Sequence, residues 1–199
     1  MKTMMTSRPR LREVARRAIK EEISSKAMAL FVEQGFEETT VEQIAVAVGI
    51  SSRSVFRYFA TKEDMVVGDM LHFGHELAAA LAARPLEESP WVALRRALDT
   101  RLEALRADDG AALARATMFS STPGLRAAQQ QKHAQWLLLL MPNITRRLKG
   151  SPSARKLQAR AIVSAALSCL DVAVGEWTRS RGAVPLDELL DAAIRAVRR

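Results

Sequence analysis

The stretch from Thr40 to Lys62 constrains the fold of this chain more than any other, and it reads TVEQIAVAVGISSRSVFRYFATK. Gly49 interrupts an apolar pattern with helical spacing, so two short helices must be joined there by a tight turn. Ala45 is small enough for two helices to cross closely, and Gly49 tolerates the positive φ of the turn. These features predict a helix-turn-helix. Apolar residues on both sides of the turn are spaced to hold the helices together: Ile44, Val48, Ile50 and Val55.

Capping residues indicate where the helices of this segment begin. Thr40 can cap the first helix, and Gln43 three residues later completes a capping box. Either Ser51 or Ser52 can cap the second helix, and Thr61 can cap a longer helix that follows. The second helix then has a polar outer face formed by Ser51, Ser52, Arg53, Ser54 and Arg57.

The charge of the chain narrows the class of its partner. The chain has 30 basic and 22 acidic residues and a formal net charge of +8. Such an excess of positive charge favours a polyanionic binding partner, either nucleic acid or anionic lipid. A polar helix of this kind fits the major groove of DNA, where arginine can pair with O6 and N7 of guanine. The alternative is a structural helix pair whose polar face is only solvated.

The helix-turn-helix segment resembles the DNA-binding region of the TetR family. The family pattern runs through IA..AGVS, a short recognition helix and an aromatic-rich YxxFxxKE. The resemblance covers about 45 residues if the preceding helix is included. Phe56 departs from the pattern, because the family usually has a tyrosine there whose hydroxyl meets a phosphate, and Tyr58 points in another direction around the helix. The matching residues are Ile44-Ala45, Val48-Gly49-Ile50-Ser51, Phe56-Arg57-Tyr58-Phe59 and Lys62-Glu63.

The resemblance implies binding to double-stranded DNA, with individual roles for the matching residues. Thr40, at the start of its helix, would bind a phosphate with help from the helix dipole. Arg53 would read a base directly, because its guanidinium can pair with guanine. Others would mainly contact phosphates, among them Arg57, Tyr58 and Lys62. The DNA-binding residues expected on this basis are Thr40, Ser51, Ser52, Arg53, Ser54, Arg57, Tyr58 and Lys62.

Helical periodicity continues on both sides of this segment, and no stretch alternates as a strand would. We therefore expect an all-α, TetR-like fold of about nine helices, with an N-terminal three-helix domain and a C-terminal helical bundle. The expected divisions are a flexible basic arm over residues 1–11, a helix-turn-helix domain over residues 12–60 and a helical domain over residues 61–199. The resemblance implies that the last domain senses a ligand and forms a homodimer.

A long helix that begins near Ser153 has two apolar rows on opposite sides. Bulky residues on one side, such as Val163 and Leu167, suit the core of the chain. Mostly small residues on the other side would let a second helix approach closely. Similar proteins pair their last two helices with those of a symmetry-related copy, and the alternative is that both rows pack within the chain. The expected interface residues are Leu157, Ala161, Ala165, Ser168, Val172, Leu190 and Ile194.

The resemblance also implies a cavity for an unknown small-molecule effector in the C-terminal domain. Methionine suits an adaptable site, and tryptophan adds apolar area with one hydrogen-bond donor. Ordinary core packing is the alternative for each of these residues taken singly. The residues expected to line the cavity are Met70, Phe73, Trp91, Leu98, Leu102, Met118, Phe119, Trp136, Leu140 and Trp177.

Sequence signals for other functions are missing. The chain has no glycine-rich phosphate loop, and His75-Glu76 does not begin a zinc-protease motif because residue 79 is alanine. We therefore expect no catalytic residue, no metal and no cofactor. The polar N-terminus does not resemble a signal peptide, and the longest apolar run is far shorter than the about 20 residues of a membrane span. These features predict a cytoplasmic protein.

Together the motif, the charge and the resemblance predict a sequence-specific DNA-binding transcriptional regulator. Repression from a palindromic operator, with release by a small-molecule ligand, is the usual mode of the family. The alternative is a basic helical protein-interaction or membrane-surface module without a specific operator. Binding to a defined palindrome that survives moderate salt would distinguish the first function from the second.

Overall fold

The computed structural model describes residues 7–106 and 110–198, without the side chains of residues 7–11, 67–70, 100–101, 104, 106, 111 and 126–132. Within these ranges the chain is helical and contains no strand, which confirms the all-α prediction. Helices α5 and α6 are separated by a single residue, Leu98. The helices are α1 (Ser7–Gln34), α2 (Val41–Val48), α3 (Ser52–Phe56), α4 (Lys62–Ala82), α5 (Pro90–Ala97), α6 (Asp99–Arg106), α7 (Ala111–Ser121), α8 (Leu125–Arg146), α9 (Pro152–Arg179) and α10 (Leu186–Val197).

The chain divides into two compact units, Met1–His72 and Phe73–Arg199. The division falls inside α4, whereas the sequence placed it between residues 60 and 61. The first helix begins at Ser7, so residues 7–11 of the expected arm belong to α1. The rest of that arm, residues 1–6, lies outside the described residues. The first unit therefore contains the helix-turn-helix together with the first half of α4.

The first unit has one core, to which α1, α2 and α3 all contribute. Ile44 and Ala45 of α2 are buried, and so is Val55 of α3. Val48 and Ile50, on either side of the turn, are half-buried. The apolar residues that were predicted to hold the two short helices together therefore face the interior. Helix α1 adds Ile23, Ala27, Met28 and Phe31 to this core.

The caps of α2 and α3 follow the sequence. The Gln43 amide donates to Thr40 Oγ1 over 3.2 Å, and the Thr40 amide donates to Gln43 Oε1 over 2.8 Å. Gly49 ends α2 with φ 74°, in the left-handed region that the turn was expected to require. Of the two serines considered as caps of α3, Ser51 takes this role by accepting from the Ser54 amide over 3.2 Å.

Lys62, the first residue of α4, ties this helix to the turn between α1 and α2. Its ammonium group donates to the carbonyl oxygens of Phe36 at 2.7 Å, Glu37 at 3.2 Å and Thr39 at 3.0 Å. The Nζ atom also lies 4.7 Å from the centroid of the Phe36 ring. Because an ammonium group has three hydrogens, these three bonds use all of them. The start of α4 is therefore fixed by the backbone of residues 36–39.

The second unit is organised around α9, which packs most extensively against α8 and α10. Val163 and Leu167 on one side of α9 are buried in the core. The core role predicted for the bulky row is therefore confirmed at these two positions. Side chains from α4, α5 and α8 complete the same core, including Leu81, Leu94, Leu140 and Ile144.

Arg147, directly after α8, closes the C-terminal end of α4. Its guanidinium group donates to the carbonyl oxygens of Leu81 over 3.2 Å and Arg84 over 3.0 Å, and to that of Pro85. Leu81 lies in the last turn of α4, where a cation complements the helix dipole, and Arg84 and Pro85 follow the helix. In the same loop, hydrogen bonds led by that from Arg84 lower the pKa of Glu88 to about 2. Charged contacts thus fix the loop between α4 and α5.

Two residues predicted at a dimer interface, Leu190 and Ile194 of α10, belong instead to the core of the second unit. Their exposed fractions are 1% and 8%. The prediction was wrong for these residues because α10 has a single apolar stripe, and that stripe packs with Leu186 against its own chain. By contrast, Leu157 and Val172 of α9 are 72% and 65% exposed.

The residues predicted to line a ligand cavity are divided among separate places. Leu102 and Trp177 line one cavity, whereas Trp91 lines another. Trp136 packs so closely against Gly74 that a β-carbon on Gly74 would lie 2.4 Å from the indole Nε1. Of the others, Leu98 and Leu140 are buried, Phe73, Met118 and Phe119 are half-buried, and the Met70 side chain lies outside the described part of the chain.

We predict that Lys62→Met destabilises the protein by about 1–3 kcal/mol, because three carbonyl oxygens lose a charged donor. Unfolding in urea measures the change. Lys26→Met is the control, since the exposed Lys26 ammonium only approaches Glu22 to 3.9 Å, and such surface pairs contribute little. An unfolding midpoint that is the same in Lys62→Met and in the unmodified protein would contradict the anchoring role.

Candidate nucleic-acid interface

The outer side of α3 presents the arginines that were predicted to bind DNA. Val55 and Phe59 face inward, with exposed fractions of 0% and 5%. Arg53 and Arg57 are both exposed. A spacing of four residues places these two side chains next to each other on one side of a helical turn. A pair of cationic groups therefore stands on the surface of α3 that faces away from the core.

The serines of α3 differ in how much of their hydrogen-bonding capacity is used. The Ser51 and Ser54 hydroxyl oxygens lie 3.0 Å apart, and Ser51 also caps the helix. Each hydroxyl has one hydrogen and two acceptor sites, so these two serines keep only part of their capacity for a base. Ser52 is half-buried, and its hydroxyl has no hydrogen-bond partner among the described residues. Ser52 is therefore the serine with most capacity left for DNA.

Thr40 is exposed at the N-terminus of α2. Its hydroxyl oxygen accepts from the Gln43 amide, but that bond leaves the hydroxyl hydrogen unused. The helix dipole and the free amides of the first turn favour an anion at such a position. The geometry is thus compatible with the phosphate contact that the family resemblance implies for Thr40.

Cation–aromatic contacts arrange the basic residues around α3. The Arg57 guanidinium lies over the Tyr58 ring, 5.9 Å from its centroid. The Lys20 ammonium of α1 lies 5.1 Å from the centroid of the Phe59 ring. Tyr58 itself is half-buried. The rings hold positive groups close to α3 and so raise the electrostatic attraction of this surface for a phosphate backbone.

Lys62, which was expected to contact a phosphate, makes hydrogen bonds within the chain. Its three hydrogens are donated to the carbonyl oxygens of residues 36, 37 and 39, so a phosphate would have to displace those bonds. No local sequence pattern indicates this role, because the acceptors lie 23 to 26 residues earlier in the chain. Lys62 positions α4, whereas Arg53 and Arg57 remain available to DNA.

Phe56 was absent from the DNA-binding residues expected from the sequence, yet it belongs to the same surface. Its side chain is 52% exposed at the end of α3. The signal that could have identified it is the apolar ring at a position where the TetR family usually has tyrosine. Phe56 directly follows buried Val55 in α3. The rotation of about 100° between successive helical residues brings its ring to the surface.

Two protein-family models match the chain. Residues 23–67 match the model of the bacterial regulatory proteins of the tetR family, and residues 88–199 match that of the MftR C-terminal domain. The first match contains α2, α3 and the Gly49 turn. The second contains α5 to α10 and covers more than half of the 199 residues.

Several curated proteins are similar to the chain. It is 38% identical over 128 residues to the HTH-type transcriptional regulator TcmR of Streptomyces glaucescens, over 60% of this chain but only 55% of that relative. It is 31% identical over 181 residues to the transcriptional regulator MftR of Mycobacterium tuberculosis, over 88% of this chain and 87% of the relative. A stretch of 45 residues is 47% identical to the HTH-type transcriptional repressor KstR2 of the same species, covering 23% of this chain and 22% of that relative.

Solved structures share the fold of the chain. A TetR transcriptional regulator from a Rhodococcus species has a TM-score of 0.55 at 14% identity, covering 91% of this chain and 97% of the other. Thermus thermophilus FadR, a TetR family repressor in complex with lauroyl-CoA, has a TM-score of 0.52 at 22% identity, covering 88% and 91%. From its family matches, its relatives and its helical fold, the chain belongs to the TetR family of transcriptional regulators.

Proposed function

We propose that this protein is a repressor that inserts α3 into the major groove of a palindromic operator. The observation that carries this proposal is the exposed pair Arg53 and Arg57 on a helix whose position is fixed by its own caps. Because α3 is already ordered in the free protein, DNA binding does not have to supply the free energy of forming it. The net charge of +8 adds attraction to any duplex, on which base contacts then confer specificity.

A palindromic operator requires two copies of the helix-turn-helix, because each copy reads one half-site. We propose a homodimer formed through the small-residue row of α9. Ala161 and Ser168 of this row are exposed, as are Leu157 and Val172 near its ends, while Ala165 is half-buried. Spacings of three and four residues place all five on one side of the helix, in a row about 22 Å long. Small side chains there permit a close approach of the two symmetry-related helices.

The composition of α9 supports a partner on its outer side. In the described part of the chain, α9 alone has the length and apolar character of a membrane span. Only 28% of its most apolar 18-residue stretch is buried. A helix that packs on the core with one side and on a second copy with the other needs the same composition. We propose the second copy as the occupant of this side, in a cytoplasmic protein.

A cavity of about 410 Å³ between α6, α7 and the turn that joins α9 to α10 is the proposed effector site. This volume lies within the range of about 300–1,000 Å³ that small-molecule sites occupy. Arg181 lines the cavity and has φ 52°, the one positive value among described residues other than glycine. Such strained backbone is frequent at ligand sites. The apolar walls include Leu102, Leu105, Leu113, Trp177 and Leu186, and Asp187 also contributes.

We propose that the effector is an amphipathic carboxylate, with its apolar part against the leucines and its charged end at Arg181. FadR, which shares the fold, is known in complex with lauroyl-CoA, so the architecture accommodates an acyl ligand in that protein. Helix α4 belongs to both units of this chain and is the element that would carry a change from one to the other. The effector releases DNA only if it binds the DNA-incompetent conformation more tightly.

Selection of bound sites from random duplex DNA tests operator binding, and the expected result is a two-fold symmetric consensus. On that operator, we predict that Arg53→Ala weakens binding by about 1–3 kcal/mol and relaxes the base preference at one position of each half-site. Arg146→Ala, which removes an exposed arginine of α8, is the control. An unchanged base preference in Arg53→Ala would refute the role of Arg53 in base reading.

For the dimer, we predict that Ala161→Glu converts the protein to a monomer, because two carboxylates would be buried near the two-fold axis. Sedimentation velocity at micromolar concentration measures the change. Ala79→Glu introduces the same charge at an exposed alanine of α4 and should remain dimeric. If the unmodified protein sediments as a monomer, or if Ala161→Glu remains a dimer, the proposed interface is incorrect.

For the effector site, we predict saturable binding of laurate by isothermal titration calorimetry and a loss of operator affinity when laurate is present. Leu113→Phe fills part of the cavity and should abolish both effects. The matched control is Leu138→Phe, at a residue of α8 that is 68% exposed. Equal laurate binding by Leu113→Phe and Leu138→Phe would place the ligand elsewhere.

A further inference from the structure

Phe56 exposes an apolar ring in the middle of the polar, basic surface of α3. The chain has ten aromatic residues, six Phe, three Trp and one Tyr, and all of their side chains are described. Phe56 is the one among them that is exposed, with 52% of its surface accessible. The other aromatic rings of the first unit, such as Phe31 and Phe59, are buried or half-buried in its core. The fold itself therefore makes little use of the Phe56 ring.

The position of Phe56 is set by its neighbours in α3. Val55 has no exposed surface and anchors the helix, whereas Phe56, about 100° further around the helix axis, is exposed. Phe56 follows Ser52 by four residues and Arg53 by three, which makes both of them its neighbours on the helix surface. The Arg57 guanidinium lies over the Tyr58 ring and not over that of Phe56. The Phe56 ring thus stands beside the residues that are placed to read bases.

The chemistry of the ring limits what it can recognise in DNA. A phenyl group has no hydroxyl, so it cannot donate to a phosphate or to a base acceptor. On the base edges of the major groove the apolar group is the C5-methyl of thymine. We propose that Phe56 contacts a thymine methyl and thereby selects thymine at one position of each half-site.

The same geometry limits where that thymine lies. Neighbouring side chains on a helix surface are about 5–6 Å apart, and successive base pairs are separated by about 3.4 Å. The thymine therefore lies within about two base pairs of the guanine that Arg53 reads. This inference rests on the operator binding proposed above, and it adds a residue and a base to it.

Replacement of thymine by deoxyuridine tests the inference, because only the methyl group is removed. Each thymine of the selected operator is replaced symmetrically in both half-sites, and binding is measured by fluorescence anisotropy at fixed salt. At one position the dissociation constant of the unmodified protein should rise about three- to tenfold for each half-site. Phe56→Ala should bind the thymine and uracil duplexes equally. Leu86→Ala, at a residue 53% exposed outside α3, should keep the full discrimination.

Separate outcomes distinguish this inference from the proposed function. If the selected operator lacks a thymine within two base pairs of the Arg53 guanine, or if no uracil substitution weakens binding, the inference is refuted while repressor binding stands. If Phe56→Ala lowered the affinity for both duplexes by the same factor, so that it still preferred thymine to uracil, the ring would contact deoxyribose and the inference would also be refuted. A protein that selects no duplex at all would refute the proposed function and this inference together.

Phe56→Leu is the control for folding, because it retains an apolar side chain. It should preserve part of the discrimination between thymine and uracil, which would show that the effect of Phe56→Ala is not a folding defect.

Discussion

The left-handed turn at Gly49 is the constraint on which the DNA-binding unit depends. Gly49 has φ 74°, and a β-carbon at this position would meet no atom within 4 Å, so the requirement is conformational rather than steric. The turn is closed by the Gly49 amide donating to Val46 and by the Ile50 amide donating to Ala45 over 3.0 Å. Ser51 follows at the place where it can cap α3. The orientation of Arg53 and Phe56 is thus a consequence of one residue without a side chain.

Basic residues of this unit differ in whether their hydrogens are used within the chain, and their surroundings decide this. Lys62 has three carbonyl acceptors within reach and so becomes part of the scaffold. Arg53 is exposed and remains available for a partner. A lysine donates three hydrogens in directions that rotate freely, which suits a cluster of carbonyl groups, whereas the planar fork of arginine suits a base edge. Net charge alone therefore overstates how many cations of the motif can face DNA.

Helix α9 shows how one element can serve two surfaces. Its bulky row, with Val163, lies in the core, while Leu157 and Val172 on the other side remain exposed. Helix α10 has only one apolar stripe, and this stripe is used within the chain, as the burial of Leu190 shows. The difference between the two helices is the number of apolar sides, and only α9 has one left for a second copy. The proposed homodimer depends on this surplus.

The sequence by itself determined the local features of this protein. Capping by Thr40 and Ser51, the turn at Gly49 and the helical class follow from residues close together in the chain, because caps and turns are local interactions. Tertiary structure decided the features that depend on distant residues: the acceptors of Lys62, the burial of Leu190 and the tight contact of Trp136 with Gly74. Helical periodicity shows that a residue lies on an apolar side, but it does not show which neighbour covers that side. The positions of the packed helices supply that information.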